Sequence, residues 1–394
     1  MTEPAGFPGP VSPADSSAES PDSGHRDYRS SSDKFADPSS VEASRAAGEE
    51  AIHAQVFGPG VSQAEIFEAE MVDQAGQGAS LGDPRTLVVA RPRRRRLPLI
   101  LFGLTCLSLI WAGIWRWSPS GTLEFFLFGV LGIGDTGEDW GLRLRRLVLR
   151  NGPSAVQYMF ALLAILLTHE MGHFLMSLRY RVAASWPYFL PLPISPIGTL
   201  GAVIGMDGRS ADRKQIFDIG LAGPLAGLVV AIPVLWIGVQ QLDLTVPASG
   251  PYHLELPLAL RWVVASRLPE GVEFDGKIFH SQLNAFFMAG WVGLLVTGLN
   301  MLPVSQLDGG HVIYGLFGRQ SRWIARAFFA TALVFIVWAE LYTWAIMLAL
   351  ILLMGPDHPP TRDDTVRLGP LRTIIGWLSL TIPILCFPPR PFGQ

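Results

Sequence analysis

Three side chains that could do hydrolytic chemistry stand together in the stretch Leu166–Leu175, which reads LLTHEMGHFL. His169 and His173 are four residues apart, so on an α-helix they share one face and can reach a common metal ion, with Glu170 beside them. Two histidines and a glutamate at this spacing are typical of zinc sites that activate a water molecule. The pattern therefore predicts a helix here and a zinc centre on one of its faces.

A hydrolytic zinc site takes a third ligand from the protein, and Asp308 is the strongest candidate. It lies in residues 300–311, NMLPVSQLDGGH, directly after an apolar run. Pro303 ends a regular helix, and Gly309 and Gly310 permit sharp turns, so the Asp308 carboxylate can be directed back towards the two histidines. A structural zinc site is the alternative interpretation, but such sites usually close with four protein ligands.

The composition places this chemistry in a membrane. The chain has 394 residues, of which 49% are hydrophobic and 16% charged, and its mean hydropathy is +0.33. These values favour a polytopic membrane protein over a soluble globular one. The chain has only two cysteines, Cys106 and Cys386, both in apolar stretches, so neither a disulfide framework nor a cysteine zinc site can form.

Apolar runs of spanning length predict an all-α membrane protein with about six to seven transmembrane helices. The core spans are predicted at about residues 153–178, 216–239 and 282–302, and the other spans at 97–117, as a pair within 323–354 with a turn near Glu340, and at 373–387. The first core span contains both histidines and the third ends just before the LDGG stretch. The membrane-embedded domain is thus predicted to cover residues 87–394.

Residues 1–86 differ sharply from the rest of the chain. They carry 15 acidic and 5 basic residues and no sustained apolar period, which predicts a disordered acidic tail. No signal peptide is recognisable at the start. The basic run RPRRRR at residues 91–96 abuts the first span, and basic residues stay in the cytoplasm, so we expect a cytoplasmic N-terminus. A nucleic-acid patch is disfavoured because the run adjoins a membrane span.

Six further features of the sequence bear on the fold and the site. Arg143, Arg145, Arg146 and Arg150 precede the second span within residues 118–150, a segment that the span model does not place. Residues 198–207, GTLGAVIGMD, predict a strand. We expect the small residues of GPLAG, 223–227, to pack helices together and Asp218 to be a helix N-cap. His311 is either an orienting neighbour of the metal centre or a surface residue, and His358 is expected in a loop.

The motifs together resemble a known family. The pairing of H-E-x-x-H in one span with N-x-x-P-x-x-x-L-D-G-G in a later one is similar to the site-2 protease family of intramembrane zinc metalloproteases. Further matching stretches are GTLGAVI at 198–204, FDIGLAGPLAG at 217–227 and DHPP at 357–360. These resemble the branch of the chloroplast members and their bacterial relatives. The resemblance covers roughly residues 97–387, with no room for an inserted PDZ domain.

The resemblance implies a set of roles. Zinc would be bound by His169, His173 and Asp308, with Glu170 as the general base and Asn300 as a second stabiliser of the developing oxyanion. The substrate would be a membrane-anchored protein cut near the cytoplasmic face, and the predicted strand would be a membrane-associated β element beside the site. The chain would be a multi-pass protein of the bacterial inner or plasma membrane. A non-catalytic membrane scaffold or chaperone on the same fold is the alternative.

Overall fold

The computed structural model describes residues 96–133, 137, 139–268, 274–304, 307–355 and 358–393. The predicted tail, residues 1–86, and all but the last arginine of the basic run lie outside the described residues. Within them the chain is mostly helical, with two small sheets.

The first helix, α1, covers Arg96–Ile114 and is followed by α2, Pro119–Glu124, and a π-helical turn, Phe125–Val130. Between α1 and α2, Arg116 and Trp117 have φ angles of 51° and 62°, which lie in the left-handed region where non-glycine residues are uncommon. The predicted span 97–117 therefore ends three residues earlier as helix, and the chain turns back on itself there.

Helix α3 is the longest element and covers Trp140–Arg179, 40 residues or about 60 Å. The side chain of Asp139 caps it by accepting a hydrogen bond from the backbone N–H of Leu142 at 3.0 Å. The sequence predicted a start at Pro153, where a helix usually breaks, but the helix runs through this proline. The arginines that the span model did not place thus form the first third of the same helix.

Helix α4, Arg213–Gln240, begins with a capping box in which Asp212 and Gln215 each accept the other's backbone N–H at 2.9 Å. The prediction that Asp218 is the N-cap was wrong, because Asp218 lies inside the helix. Its carboxylate accepts hydrogen bonds from Arg372 at 2.7 and 3.0 Å and from the hydroxyl of Tyr180. Only tertiary structure could supply these partners, which no local pattern shows.

The C-terminal part contains six more helices: α6 Ala285–Asn300, α7 Asp308–Phe317, α8 Ser321–Trp338, α9 Ala345–Met354, α10 Pro370–Ser379 and α11 Ile382–Cys386. The shorter α5, Leu258–Ala265, precedes them. Two helices with a turn at Glu340, whose φ is 56°, occupy the region predicted as a pair of spans at 323–354, but α9 has only 10 residues and is too short to cross a bilayer as a regular helix. The predicted span 373–387 is instead divided between α10 and α11.

Two small antiparallel sheets complete the fold. Strand β1, Tyr188–Pro191, pairs with β2, Thr199–Val203, which confirms the strand predicted over 198–207. Strand β3, His253–Glu255, lies between β4, Lys277–Phe279, and β5, Phe392–Gly393.

Among the residues that the structure describes, four stretches are long and apolar enough to cross a bilayer: α1, α3, α4, and the run Asp308–Trp338 formed by α7 and α8. Large apolar side chains such as Phe160, Val229 and Val334 point outward from them and are exposed. A soluble protein would not expose so many, whereas lipid accommodates them. The chain is therefore a helical membrane protein with four candidate spanning stretches, and α6, at 16 residues, is a shorter apolar helix.

Helix α6 lies at the centre of the bundle between α3 and α4. A methyl group at Gly290 would lie 2.6 Å from Cβ of Leu235 in α4, and one at Gly293 would lie 3.0 Å from Cγ2 of Ile165 in α3. Lipid tails are as apolar as the helices, so the hydrophobic effect does not drive helices together in a membrane. Helices there associate instead through close packing at small residues such as these glycines.

This packing gives a first prediction. Gly290→Ala should lower the apparent unfolding midpoint of the detergent-solubilised protein by several degrees, since overpacking a tight contact costs about 1–3 kcal/mol. Gly103→Ala in α1 is the matched control, because no atom lies within 4 Å of its added methyl group. It should leave the midpoint unchanged or raise it, as alanine favours helix. The unfolding midpoint is measured as the loss of the monodisperse peak in size-exclusion chromatography after heating. Equal midpoints for the two variants would contradict this packing.

Candidate metal centre

Helix α3 brings His169 and His173 together one turn apart, with ring centroids 5.1 Å from each other. Both face α4 and the protein interior, and His169 is only 2% exposed. A buried pair of imidazoles in an apolar helix is costly unless other polar groups meet it. The helix predicted over Leu166–Leu175 is thus present, with its two histidines directed into the bundle.

Asp308 supplies the group that meets them. Its Oδ2 lies 3.2 Å from Nε2 of His169 and its Oδ1 lies 3.3 Å from Nε2 of His173. One ligand atom from each of these three residues lies within 4.8 Å of the other two. The carboxylate comes from the first residue of α7, 135 residues beyond His173, so the fold joins two sequence motifs that the spacing alone could not place together.

The glycine after Asp308 is required by the turn that presents it. A Cβ at Gly309 would overlap the carbonyl group of Met301 and lie 2.5 Å from the carbonyl oxygen of Leu302. The start of α7 therefore packs directly on the backbone that follows α6. This contact fixes the direction from which the Asp308 carboxylate enters the site.

The three side chains converge closely enough to hold one metal ion, with one ligand atom from each within 4.8 Å of the other two. Two imidazoles and a carboxylate are a ligand set typical of zinc. The Nδ1–H of His173 donates to the carbonyl oxygen of Ile219 at 2.8 Å, which leaves Nε2 as the nitrogen with a lone pair for a metal.

Helix α4 can approach these histidines because it presents glycines to them. A Cβ at Gly223 would overlap the imidazole of His173, and one at Gly227 would lie 3.0 Å from Nδ1 of His169. Gly220, one turn earlier, faces the side chain of His311 in the same way. The packing role predicted for the GPLAG stretch is confirmed, and its purpose is to make room for the imidazoles.

Glu170 and Asn300 lie at the edge of the three-residue cluster. Glu170 is 6% exposed and close enough to both histidines and to Asp308 to interact with them electrostatically. Asn300 is the last residue of α6, and its side-chain Nδ2 lies 3.3 Å from Nε2 of His169. The structure thus brings all five residues predicted for the site into one place, with a carboxylate and an amide beside the metal-binding atoms.

A second cluster, formed by His311 and His358, adjoins the first. The sequence analysis named both residues but did not predict their contact. His311, one turn after Asp308, lies 2.7 Å from His358, Nδ1 to Nε2. The Nδ1–H of His358 donates to the carbonyl oxygen of Pro359 at 2.6 Å, so its Nε2 accepts from His311. Burial lowers the pKa of the His358 imidazole, which favours this neutral form. His358 lies outside the helices, as predicted, but it is a direct partner of α7.

The loop that carries His358 is itself held against α7. The ring of Tyr314 stacks on His358 with centroids 4.3 Å apart, and the Tyr314 hydroxyl donates to Asp364 at 2.6 Å. The backbone N–H of Arg213, at the start of α4, donates to the carbonyl oxygen of Asp363. The loop therefore ties the helix of Asp308 to the helix that faces both histidines. The DHPP stretch was the only sequence signal for this contact.

Comparisons with known proteins agree with this geometry. Residues 157–342, which contain the whole cluster from His169 to Asp308, match the model of Peptidase family M50. The chain is 34% identical over 172 residues, 43% of its length, to "Probable zinc metalloprotease EGY1, chloroplastic" of Oryza sativa subsp. japonica. It is 28% identical over 258 residues, 60% of its length, to the Arabidopsis thaliana protein of the same name, and 26% identical over 236 residues, 58% of its length, to "Probable zinc metalloprotease EGY2, chloroplastic" of that plant.

The matches cover 29%, 43% and 41% of those three relatives, so the chain spans less than half the length of each. The resemblance drawn from the two motifs is confirmed by these matches, and the described residues supply a His-His-Asp group suited to a metal. Residues 157–342, a little under half of the chain, are thus similar to Peptidase family M50, the family of the site-2 proteases.

Proposed function

We propose that the chain is an intramembrane zinc metalloendopeptidase that hydrolyses a peptide bond of a membrane-anchored protein. The observation that carries this proposal is the convergence of His169, His173 and Asp308 beside a buried Glu170, within helices long and apolar enough to span a bilayer. The cut falls near the face of the membrane at which α3 ends, because both histidines lie within three turns of its last residue, Arg179.

His169, His173 and Asp308 would hold the zinc ion, which when bound would supply an acidified water molecule, with a pKa of about 7, and Lewis acidity towards the scissile carbonyl group. Glu170 accepts a proton from the attacking water, whose oxygen bonds to the carbonyl carbon. Asn300 donates an amide N–H to the carbonyl oxygen as negative charge develops on it. As the carbon–nitrogen bond breaks, Glu170 returns the proton to the leaving amine.

A peptide bond in a helix is shielded, so the substrate must be held extended at the site. The β1–β2 hairpin suits this task because, among the described residues, it is a two-stranded sheet with open edges. It is attached to the bundle: Ser108 in α1 donates to the carbonyl oxygen of Gly198 at 2.5 Å, and Tyr158 in α3 donates to that of Ile197 at 2.7 Å. An unwound substrate segment can add to it as a further strand.

The placement in the membrane follows from the same elements. The chain crosses the membrane about six to seven times, with α6 and the shorter C-terminal helices adding to the four long stretches. Its N-terminus is cytoplasmic, on the side of the basic run at 91–96, in a bacterial inner or plasma membrane. The metalloprotease domain that we propose covers residues 87–394, and the acidic residues 1–86 precede it.

Replacing the proposed base is the first test. Glu170→Gln should retain one zinc per chain but lose about 10²–10⁴-fold in cleavage rate, because a neutral amide cannot accept the proton. The substrate is found by crosslinking this variant in its native membranes and identifying the uncleaved protein that accumulates. That protein, reconstituted with the wild-type chain in liposomes, should be cut, and Glu255→Gln in β3 should cut it at the wild-type rate. Undiminished cleavage by Glu170→Gln would rule out Glu170 as the base, whereas normal cellular function of that variant without any cleavage would favour the scaffold alternative.

Replacing the third ligand separates metal binding from catalysis. Asp308→Asn should lower the zinc content, measured by elemental analysis of the purified protein, from one per chain to a small fraction, since a neutral amide is a poor zinc ligand. Asp243→Asn, in the loop after α4, is the control for loss of one carboxylate and should keep its zinc. Full zinc occupancy in Asp308→Asn would rule out this carboxylate as a ligand.

The loop that holds α7 gives a third test. His358→Ala should weaken zinc binding about 10–100-fold, the usual loss when a group that orients a ligand is removed. Affinity is measured by competition with a chromogenic chelator, and saturating zinc should restore much of the activity. His358→Gln keeps an acceptor for His311 and should bind zinc more tightly than His358→Ala. An unchanged zinc affinity in both variants would show that the loop does not position Asp308.

A further inference from the structure

The first third of α3 carries a row of arginines that catalysis does not use. Arg143, Arg146 and Arg150 are spaced i, i+3 and i+7, so they lie along one face of the helix. Together with Asp139 and Leu147 they line a cavity of about 430 Å³ that is open to the exterior. Arg145 falls on a different face and does not line the cavity. The row therefore forms a concave basic site rather than a scattered surface charge.

The depth of this site in the bilayer can be read from α1. The 19 residues of α1 span about 28 Å, close to the 30 Å thickness of a hydrocarbon core. The far end of α1 is level with the arginines, because the side chain of Asn151 donates to the carbonyl oxygen of Ile114 at 2.8 Å. Arg150 thus begins where the hydrocarbon core ends, and Arg146 and Arg143 continue about 6 and 10 Å outward, through the headgroup layer.

Apolar side chains surround the cavity at the same depth. Leu149 is 72% exposed and Leu142 is 51% exposed, both on the helix face next to the arginines. The π-helical turn Phe125–Val130 packs on this part of α3, where the ring of Phe128 stacks on Trp140. Its Phe126 points outward and is also exposed. Exposed leucine and phenylalanine beside arginine is the composition of a surface that lies in a membrane interface.

The charges in the cavity favour an anion. Arg143 is already engaged, with Glu124 at 3.7 Å and the Trp140 ring centroid at 4.7 Å. Asp139 is used as the cap of α3. Within the described part of the chain, neither Arg146 nor Arg150 has an acidic side chain within ion-pair distance. Two guanidinium groups therefore remain to bind an anion from outside the protein.

We propose that this cavity binds the phosphate of an anionic phospholipid, with Arg146 and Arg150 on the headgroup and the acyl chains running inward past the exposed Leu149. A phospholipid is preferred over a free phosphate because the apolar surface lies beside the arginines at the depth where acyl chains begin. This inference depends on insertion of α1 and α3 in a membrane and not on peptidase activity. Arginine is suited to the role since its planar donors match phosphate.

The test uses the purified full-length chain in a non-ionic detergent, titrated with dihexanoyl phosphatidylglycerol and, separately, with dihexanoyl phosphatidylcholine. Bound lipid is counted by native mass spectrometry. Phosphatidylglycerol should bind more tightly, and its affinity should fall as salt rises. Arg146→Gln and Arg150→Gln should each weaken it about fivefold, the effect of one basic residue near a charged headgroup. Arg145→Gln, with the same charge change on another face, should bind within twofold of wild type.

Several results would overturn the proposal. Equal loss in Arg145→Gln and Arg150→Gln would indicate general surface charge, and equal binding of both lipids would indicate an apolar contact only. Displacement of the lipid by millimolar inorganic phosphate would indicate a free-anion site. Arg150→Lys keeps the charge but not the planar donors and should recover part of the affinity that Arg150→Gln loses; binding as weak as that of Arg150→Gln, with a normal elution profile, would count against the site. Glu170→Gln should bind lipid as wild type does, which separates this result from that of the peptidase tests.

Discussion

The hydrogen bond from Nδ1–H of His173 to the carbonyl oxygen of Ile219 is the contact on which the metal centre depends. It forms in a dry interior, where an unpaired imidazole would be costly, and it fixes which nitrogen faces the metal. It also requires α3 and α4 to lie nearly in backbone contact, which only the glycines of α4 permit. A side chain at Gly223 would occupy the position of the imidazole itself. Helix packing and ligand chemistry are therefore one constraint in this protein.

That constraint extends to the third ligand. The Asp308 carboxylate belongs to a different helix from the histidines. Its direction must therefore be fixed by contacts between α7 and the rest of the protein. It does so because Gly309 packs on the backbone after α6 and because the loop of His358 binds α7 from the other side. The site is thus assembled from α3, α4, α6 and α7, each fixed by a contact that tolerates little displacement. A buried cluster of ionisable groups in lipid demands this rigidity, since any unmet charge there is expensive.

Part of the candidate site could be predicted because it is local, whereas the approach of Asp308 to the two histidines depends on tertiary structure. His169 and His173 need only the helical period, and the turn that presents Asp308 needs only Pro303 and the glycines that follow it. The span boundaries were less predictable: Pro153 indicated a helix start, yet α3 continues through it while Asn151 binds the end of α1. For the same reason Asp218 was wrongly predicted to be a helix N-cap, and the contact that His358 makes with α7 was not predicted. Their partners, Arg372 and His311, lie 154 and 47 residues away, and no local pattern reports such pairings.

The length of α3 links the metal centre to the far side of the membrane. Its 19 residues from Arg150 to His169 measure about 28 Å along the axis, close to one hydrocarbon thickness. If the arginines are held at one headgroup layer, the histidines must lie near the opposite one. The depth of the centre would then be set by a fixed helical distance rather than by the apolar residues between, which allow a helix to slide or tilt. A substrate helix unwinds and its peptide bond meets water most easily near a membrane face. The arginine row would therefore serve catalysis by holding the proposed ligands at that depth, without touching them.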